Sequence, residues 1–298
     1  KPIAPSLSGF RRMQAVAQEK GLVLMEAMRP YHDSLWDVAK NEMLPLLDGI
    51  RKATLSFCQY SSRYDKFLAG EYTNTFDPAL SNAALLDIGI YPVAAAVMIF
   101  GEPRAVSAES VFLANGFEGE GRLLLDYGDT AVTVIYSKIR NDGAPSVFEN
   151  GDYKVTVNKI SQPARVAFLH KEKEEFALSS RHGGEFNNMS EEVLDFSHAV
   201  KKKDLTPYHA ESAMALRICD EARRLAAKNT GAEFESIMIN CSHTHTGPLV
   251  GNDLEVAPQL IEAHHLKLHQ TVENDHLVLA ADEGKRIAEA RIFKIRVF

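Results

Sequence analysis

From residue 105 onward the hydrophobic period of this chain is two. Residues 105–113, 121–126, 131–139, 153–160, 164–170 and 175–179 alternate apolar with polar side chains, and Tyr127-Gly128-Asp129 and Asn150-Gly151-Asp152 supply turn residues between neighbouring runs. Successive side chains of a strand point to opposite faces, and short turns between such runs join antiparallel neighbours. The stretch therefore predicts an antiparallel sheet of about six strands, close to the usual size. Two helical patterns follow, one at 190–201 and one from Thr206, read as N-cap with Pro207 at the first helical position, to 228. Ala213, Leu216, Cys219 and Leu225 form the apolar side of the second. These helices are expected to cover one face of the sheet. Alternation through Ala131-Val132-Thr133-Val134-Ile135-Tyr136 leaves the other face of mixed character and available to a partner subunit, so a homo-oligomer is expected. The expected class is α/β of the α+β kind: a large, mostly antiparallel open sheet with helices on one face, followed by a small α/β segment.

Upstream, residues 6–20 carry a helical pattern with Phe10, Met13 and Ala17 on one face and Gly21 just past the end. Residues 22–27 read as a short apolar strand running into Met28-Arg29-Pro30-Tyr31-His32. A second helical stretch starts near Ser34 and is interrupted by Pro45, residues 53–60 alternate like a strand, and 63–76 read as a long polar loop. The stretch Leu86-Asp87-Ile88-Gly89-Ile90-Tyr91-Pro92 comes next, followed by an apolar run, 93–100, that ends at Gly101. Asp87 and Gly89 fit a helix start, where a carboxylate accepts from free backbone N–H groups and its charge suits the dipole. Tyr91 then falls in the first turn. A phenol is a proton donor to a carbonyl or alkoxide when a nearby cation stabilises its phenolate. The alternative is a capped, buried helix whose tyrosine only hydrogen-bonds.

The character of the chain changes near Asn229, and a boundary is placed there, between 1–228 and 229–298. Six of the eleven histidines lie beyond it, at His243, His245, His264, His265, His269 and His276. Residues 236–241 read as an apolar strand, 258–290 as helical, and 292–298 as a final strand. The net charge of −7 and pI of about 5.9 disfavour a nucleic-acid partner, and Lys201-Lys202-Lys203 reads as a solvated loop. No apolar run approaches the roughly 20 residues that span a bilayer, so no membrane association is expected. Three scattered cysteines give no disulfide framework, which points to a reducing, cytoplasmic setting. A chain that starts at Lys1 without a signal-peptide pattern is expected to be a fragment or a processed product.

Residues 1–228 resemble the Gfo/Idh/MocA (glucose-fructose oxidoreductase/inositol dehydrogenase) family. Lys1-Pro2-Ile3 looks like the tail of its Glu-Lys-Pro motif, Asp87-Ile88-Gly89-Ile90-Tyr91-Pro92 like its Asp-x-Gly-x-Tyr/His element, and Met25-Glu26-Ala27 like the segment before its substrate-facing loop. The resemblance implies the substrate-binding and catalytic domain of an NAD(P)-dependent oxidoreductase acting on a sugar or polyol hydroxyl. It implies that Lys1 hydrogen-bonds the reacting hydroxyl, that Tyr91 is the acid/base and Asp87 its partner, and that Arg29 and His32 face the substrate. No Gly-x-Gly-x-x-Gly follows a strand anywhere in the chain, so the chain alone is not expected to hold NAD or NADP.

The segment from about 235 to 298 resembles a short part of neutral/alkaline ceramidases, which are zinc amidases. The match is carried by Ile237-Met238-Ile239-Asn240-Cys241-Ser242-His243-Thr244-His245. It implies His243 as a zinc ligand and His245 as a substrate-contacting or second metal-binding histidine. His265 and His269, one helical turn apart in that reading, could add ligands or form a solvated face. Two partial resemblances in one chain point to a join between unrelated segments. Two other functions stay open: a non-catalytic dimerisation or sugar-binding module, and a partial zinc-dependent amidase.

Overall fold

The computed structural model describes residues 1–80, 82–180 and 188–230, together with strands at 268–273, 276–281 and 286–291. The chain divides into two compact units, Lys1–His243 and Thr244–Phe298. In chain order the first holds α1 (Leu7–Lys20), α2 (Arg29–His32), α3 (Ser34–Val38), β1 (Lys52–Cys58), α4 (Tyr64–Leu68), α5 (Ile90–Phe100), β2 (Ala105–Phe112), β3 (Glu118–Asp126), β4 (Ala131–Ser137), β5 (Ser146–Asn150), β6 (Tyr153–Val157), β7 (Arg165–His170), β8 (Lys173–Ser179), α6 (Met189–Lys202) and α7 (His209–Thr230).

The eight strands form one open sheet in the order β2-β3-β4-β1-β5-β6-β7-β8. Every pairing is antiparallel except β1 with β4. The expectation of a mostly antiparallel open sheet holds, with two additions. The early strand at 52–58 is inserted into the middle of the sheet rather than lying beside it. A further strand, β5, follows Pro145, where five residues are too few for alternation to stand out. Register aligns the apolar positions across neighbours: Ala53 with Val132 and Val132 with Leu125, Leu55 with Val134 and Val134 with Leu123. All six are fully buried or nearly so. The opposite face carries Thr54, Thr133, Ile135 and Leu124, with the first three half-buried and Leu124 46% exposed.

The helix against the centre of the sheet is α5, not the two closing helices. From Ile90 to Val97 every residue of α5 is buried, the signature of a helix apolar on all sides and packed on all sides. It rests on β1 and β4, and α7 packs against α5 and β2. The other closing helix, α6, packs on α2 instead. The start of α7 is His209 rather than Pro207, because Tyr208 takes a positive φ of 57° just before it. Gly101 ends α5 as expected, at φ 74°, with its N–H donating to the Val97 carbonyl at 2.8 Å.

Residues 22–27 have no regular secondary structure and pair with no strand. Two of their carbonyls accept from side chains instead: His209 Nε2 bonds the Leu24 oxygen at 2.7 Å and His32 Nε2 the Glu26 oxygen at 2.9 Å. The polar loop at 63–76 contains the short helix α4 and a 3-10 turn, Asn74–Phe76. In the second unit, β9 (Leu268–Glu273), β10 (His276–Ala281) and β11 (Arg286–Arg291) form an antiparallel sheet, which overturns the helix expected across 258–290. The apolar run 277–281 is short and follows Asn274-Asp275-His276, a strand-and-turn signal rather than a helical one. The strands expected at 236–241 and 292–298 lie outside the described residues.

One contact fixes how closely α5 approaches the sheet. Just before it, residues Leu85–Gly89 form a single wide π-helical turn. A Cβ added at Gly89 would lie 2.8 Å from the ring of Tyr136. Tyr136 cannot retreat, since it is fully buried and its hydroxyl donates to Glu118 at 2.9 Å. Gly89→Ala is therefore expected to destabilise the unit by about 1–3 kcal/mol through overpacking. That loss would read in a thermal melt as roughly 2–4 °C per kcal/mol. An unchanged melting temperature would show that the turn can shift away from Tyr136.

Candidate active site

The wide turn carries Asp87, and the first turn of α5 carries Tyr91. Asp87 does not cap the helix, contrary to expectation, because it sits inside a turn that already has helical backbone. The cap comes from another element. The Leu85 N–H donates to the buried carboxylate of Glu118 on β3 at 3.1 Å, which also accepts from Ser110 Oγ at 2.7 Å and from Tyr136.

The Asp87 carboxylate instead lies between two ammonium groups. Lys1 Nζ donates to Oδ1 and, at 2.5 Å, to the Asp87 backbone carbonyl, while Lys138 Nζ donates to Oδ2. Burial by itself would raise the Asp87 carboxyl, but the charges and hydrogen bonds of the two lysines outweigh it and hold the group well below the usual carboxylate range.

Lys1 Nζ also lies 5.4 Å from the centre of the Tyr91 ring, at cation–π distance. Tyr91 is 7% exposed and packs against Phe57, with ring centroids 5.5 Å apart. Among the described residues nothing is hydrogen-bonded to its hydroxyl. Lys1, Asp87 and Tyr91 are thus brought together, with the side chain of Lys1 30% exposed and the Asp87 side chain 10% exposed. The segment that bears Lys1 is itself pinned. Glu26 accepts from the Ile3 N–H at 2.7 Å and from Ser212 Oγ of α7 at 2.5 Å.

Arg29 and His32 are held elsewhere. Arg29 donates from Nε to Asn188 at 2.6 Å and from a terminal nitrogen to Gln162. His32 is buried, with Nδ1 on Asp195 at 2.9 Å and Nε2 on the Glu26 carbonyl at 2.9 Å, so both ring nitrogens are taken. A hollow of about 370 Å³, lined by residues such as Arg11, Gln14, Thr206 and His209, contains none of the candidate residues, and both nitrogens of His209 are likewise engaged.

Lys138 and Glu118 escaped the sequence reading. For Lys138 a signal existed. Val132, Val134 and Tyr136 face inward, so the same alternation carried two residues on places a lysine on the apolar side. Among the described residues no group of His, Cys, Asp and Glu is arranged to hold a metal ion. His243, His245 and His265 lie outside the described residues, and His269 falls on β9, so the one-turn helical spacing proposed for it does not apply.

Residues 50–155 match the GFO/IDH/MocA C-terminal domain. Among curated proteins, the chain is 37% identical over 169 residues to the uncharacterized oxidoreductase YgjR of Escherichia coli, covering 57% of this chain and 51% of the relative. It is 36% identical over 173 residues to the scyllo-inositol 2-dehydrogenase (NADP(+)) IolU of Bacillus subtilis, covering 58% and 52%. The chain spans about half the length of these curated relatives. The fold is similar to that of KijD10, a 3-ketoreductase from Actinomadura kijaniata solved with TDP-benzene and NADP, at a TM-score of 0.58 and 20% identity over 74% of this chain and 67% of that one. It is also similar to an aldose-aldose oxidoreductase from Caulobacter crescentus complexed with glycerol, at a TM-score of 0.63 and 17% identity over 77% and 69%. These matches support the family resemblance over the sheet and its helices.

The geometry sets a stability test. Asp87→Asn removes the only carboxylate bonded to Lys138 among the described residues, and the Lys138 side chain is 6% exposed. An uncompensated buried charge costs about 3–5 kcal/mol, a loss that urea unfolding at neutral pH would read directly. Because the folded-state carboxyl is depressed, its contribution is present above the unfolded value of about 4 and is lost as pH falls. The gap between the parent and Asp87→Asn should therefore narrow below about pH 4. A gap that stays constant down that range would mean Asp87 gains nothing from its two lysines.

Proposed function

We propose that this chain carries the substrate-binding and catalytic part of an NAD(P)-dependent oxidoreductase acting on a sugar or polyol hydroxyl, with Lys1, Asp87 and Tyr91 as its working groups. The observation that carries the reading is the Lys1 ammonium, fixed by Asp87 and standing against the Tyr91 ring. The oxidoreductase names of the two curated relatives support it.

In this reading the Tyr91 oxygen takes the hydroxyl proton when the alcohol is oxidised and returns it when the ketone is reduced. Lys1 offsets the negative charge that develops on the oxygens beside it, and Asp87 keeps Lys1 in place. NAD(P), when bound, supplies the hydride acceptor or donor. The described residues fit the hydroxyl end of such a reaction. They do not fit the dinucleotide, since no glycine-rich loop precedes a described helix to receive a pyrophosphate. That misfit favours a second reading, a module that binds a sugar or polyol without turning it over.

In a protein that joins this chain to a dinucleotide-binding domain, Tyr91→Phe is expected to lower polyol turnover roughly a hundredfold. The ring stays packed against Phe57, so the melting temperature should hardly move. Steady-state kinetics beside a thermal melt separate the readings. Full activity in Tyr91→Phe would remove the tyrosine from the proton step, and polyol binding with no turnover in the parent would favour the binding module. The chain on its own is expected to give no saturable NADH fluorescence enhancement, and saturation at micromolar cofactor would place a dinucleotide site within it.

A further inference from the structure

Lys138 is a costly residue for its position. It follows β4 directly and its backbone N–H continues the ladder to the Gly119 carbonyl at 2.8 Å. Its side chain is 6% exposed. Its ammonium lies 5.4 Å from the centre of the Phe76 ring and 5.7 Å from that of Phe117, and those two rings pack 4.8 Å apart. A leucine or methionine would fill this space without bringing a charge out of water. Buried ion pairs exchanged for apolar groups of similar volume are often neutral or even stabilising. Packing alone therefore gives no reason for a lysine here.

The reason lies in what its ammonium holds. A carboxylate at the end of a short side chain can turn about its last torsion. Asp87 is bonded on Oδ2 by Lys138 and on Oδ1 by Lys1, and these bonds on opposite oxygens fix the plane of the carboxylate. Lys138 enters from the sheet between two aromatic faces, whereas Lys1 enters from a segment pinned by Glu26.

We propose that Lys138 is a positioning residue of this site: it holds the Asp87 carboxylate from the side opposite Lys1 and thereby sets where the Lys1 ammonium stands against Tyr91. The inference rests on the function proposed above. Burial lowers the affinity of Lys138 for its proton, Asp87 opposes this, and the charge of Lys1 adds to it. The ammonium is therefore kept by Asp87, as a structural counter-ion would be.

Two readouts test the proposal, one of which needs no turnover. In the full chain, isotope-labelled at its aspartate carboxyl carbons, the Asp87 resonance should titrate at higher pH in Lys138→Met than in the parent, because one of the two cations that depress it is gone. In the protein joined to a dinucleotide-binding domain, Lys138→Met should lower kcat roughly tenfold with KM little changed, as expected when a reacting group is slightly misplaced. Lys138→Arg should recover part of the rate. Lys138→Gln, which keeps a donor without the charge, serves the titration if the methionine variant does not fold. An Asp87 titration identical to the parent would overturn the proposal, and so would an undiminished kcat. If the parent turns over no polyol, the proposed function fails while the Asp87 titration still decides the role of Lys138.

Discussion

The arrangement of this chain depends on how near a helix can come to a sheet at one point. Gly89 presents no side chain, so the ring of Tyr136 rises from β4 to touch the backbone of the wide turn before α5. The Tyr136 hydroxyl and the Leu85 N–H meet at the same carboxylate, Glu118, which lies sealed inside the sheet–helix layer. Burial raises the proton affinity of that carboxyl, and three donors offset the cost. A glycine, a phenol and an acid thus clamp the start of α5. The clamp is what orients Asp87 and Tyr91, two residues that sit on its two sides along the chain.

Much of this was legible in sequence, and the limits have physical causes. The strands from 105 to 179 other than β5 declare themselves by alternation, because each half-buries one face. Gly101 declares the end of α5, because only a residue without a side chain accepts its backbone angle cheaply. Where β1 belongs is a long-range fact: its neighbours in the sheet, β4 and β5, come some 75 or more residues later, and nothing local encodes that pairing. The segment at 22–27 looks like a strand because its residues favour that backbone, yet it joins no sheet and two of its carbonyls bond histidine side chains.

The site was legible in the same uneven way. Asp87 and Tyr91 lie in one short motif and Lys1 is carried by a resemblance, so those three could be named, and they are found together. Arg29 and His32 lie on one short stretch in sequence, but Asn188 and Gln162 hold the first while Asp195 of α6 and the Glu26 carbonyl hold the second. Asp87 misled as a cap because an acid before an apolar helix so often is one. Helical backbone had begun three residues earlier, and the acid that receives the first turn comes from another strand. Lys138 could have been caught by asking which polar residues fall on the inward phase of an otherwise apolar strand.

The grip on Lys1 has a main-chain half. One of the two oxygens that accept from its ammonium is the backbone carbonyl of Asp87. Side-chain exchange at position 87 can delete the carboxylate, but it cannot delete that oxygen. The lysine's location is therefore encoded twice, once by a replaceable group and once by the course of the main chain. Drift at position 87 would alter the charge of this corner of the molecule sooner than its geometry.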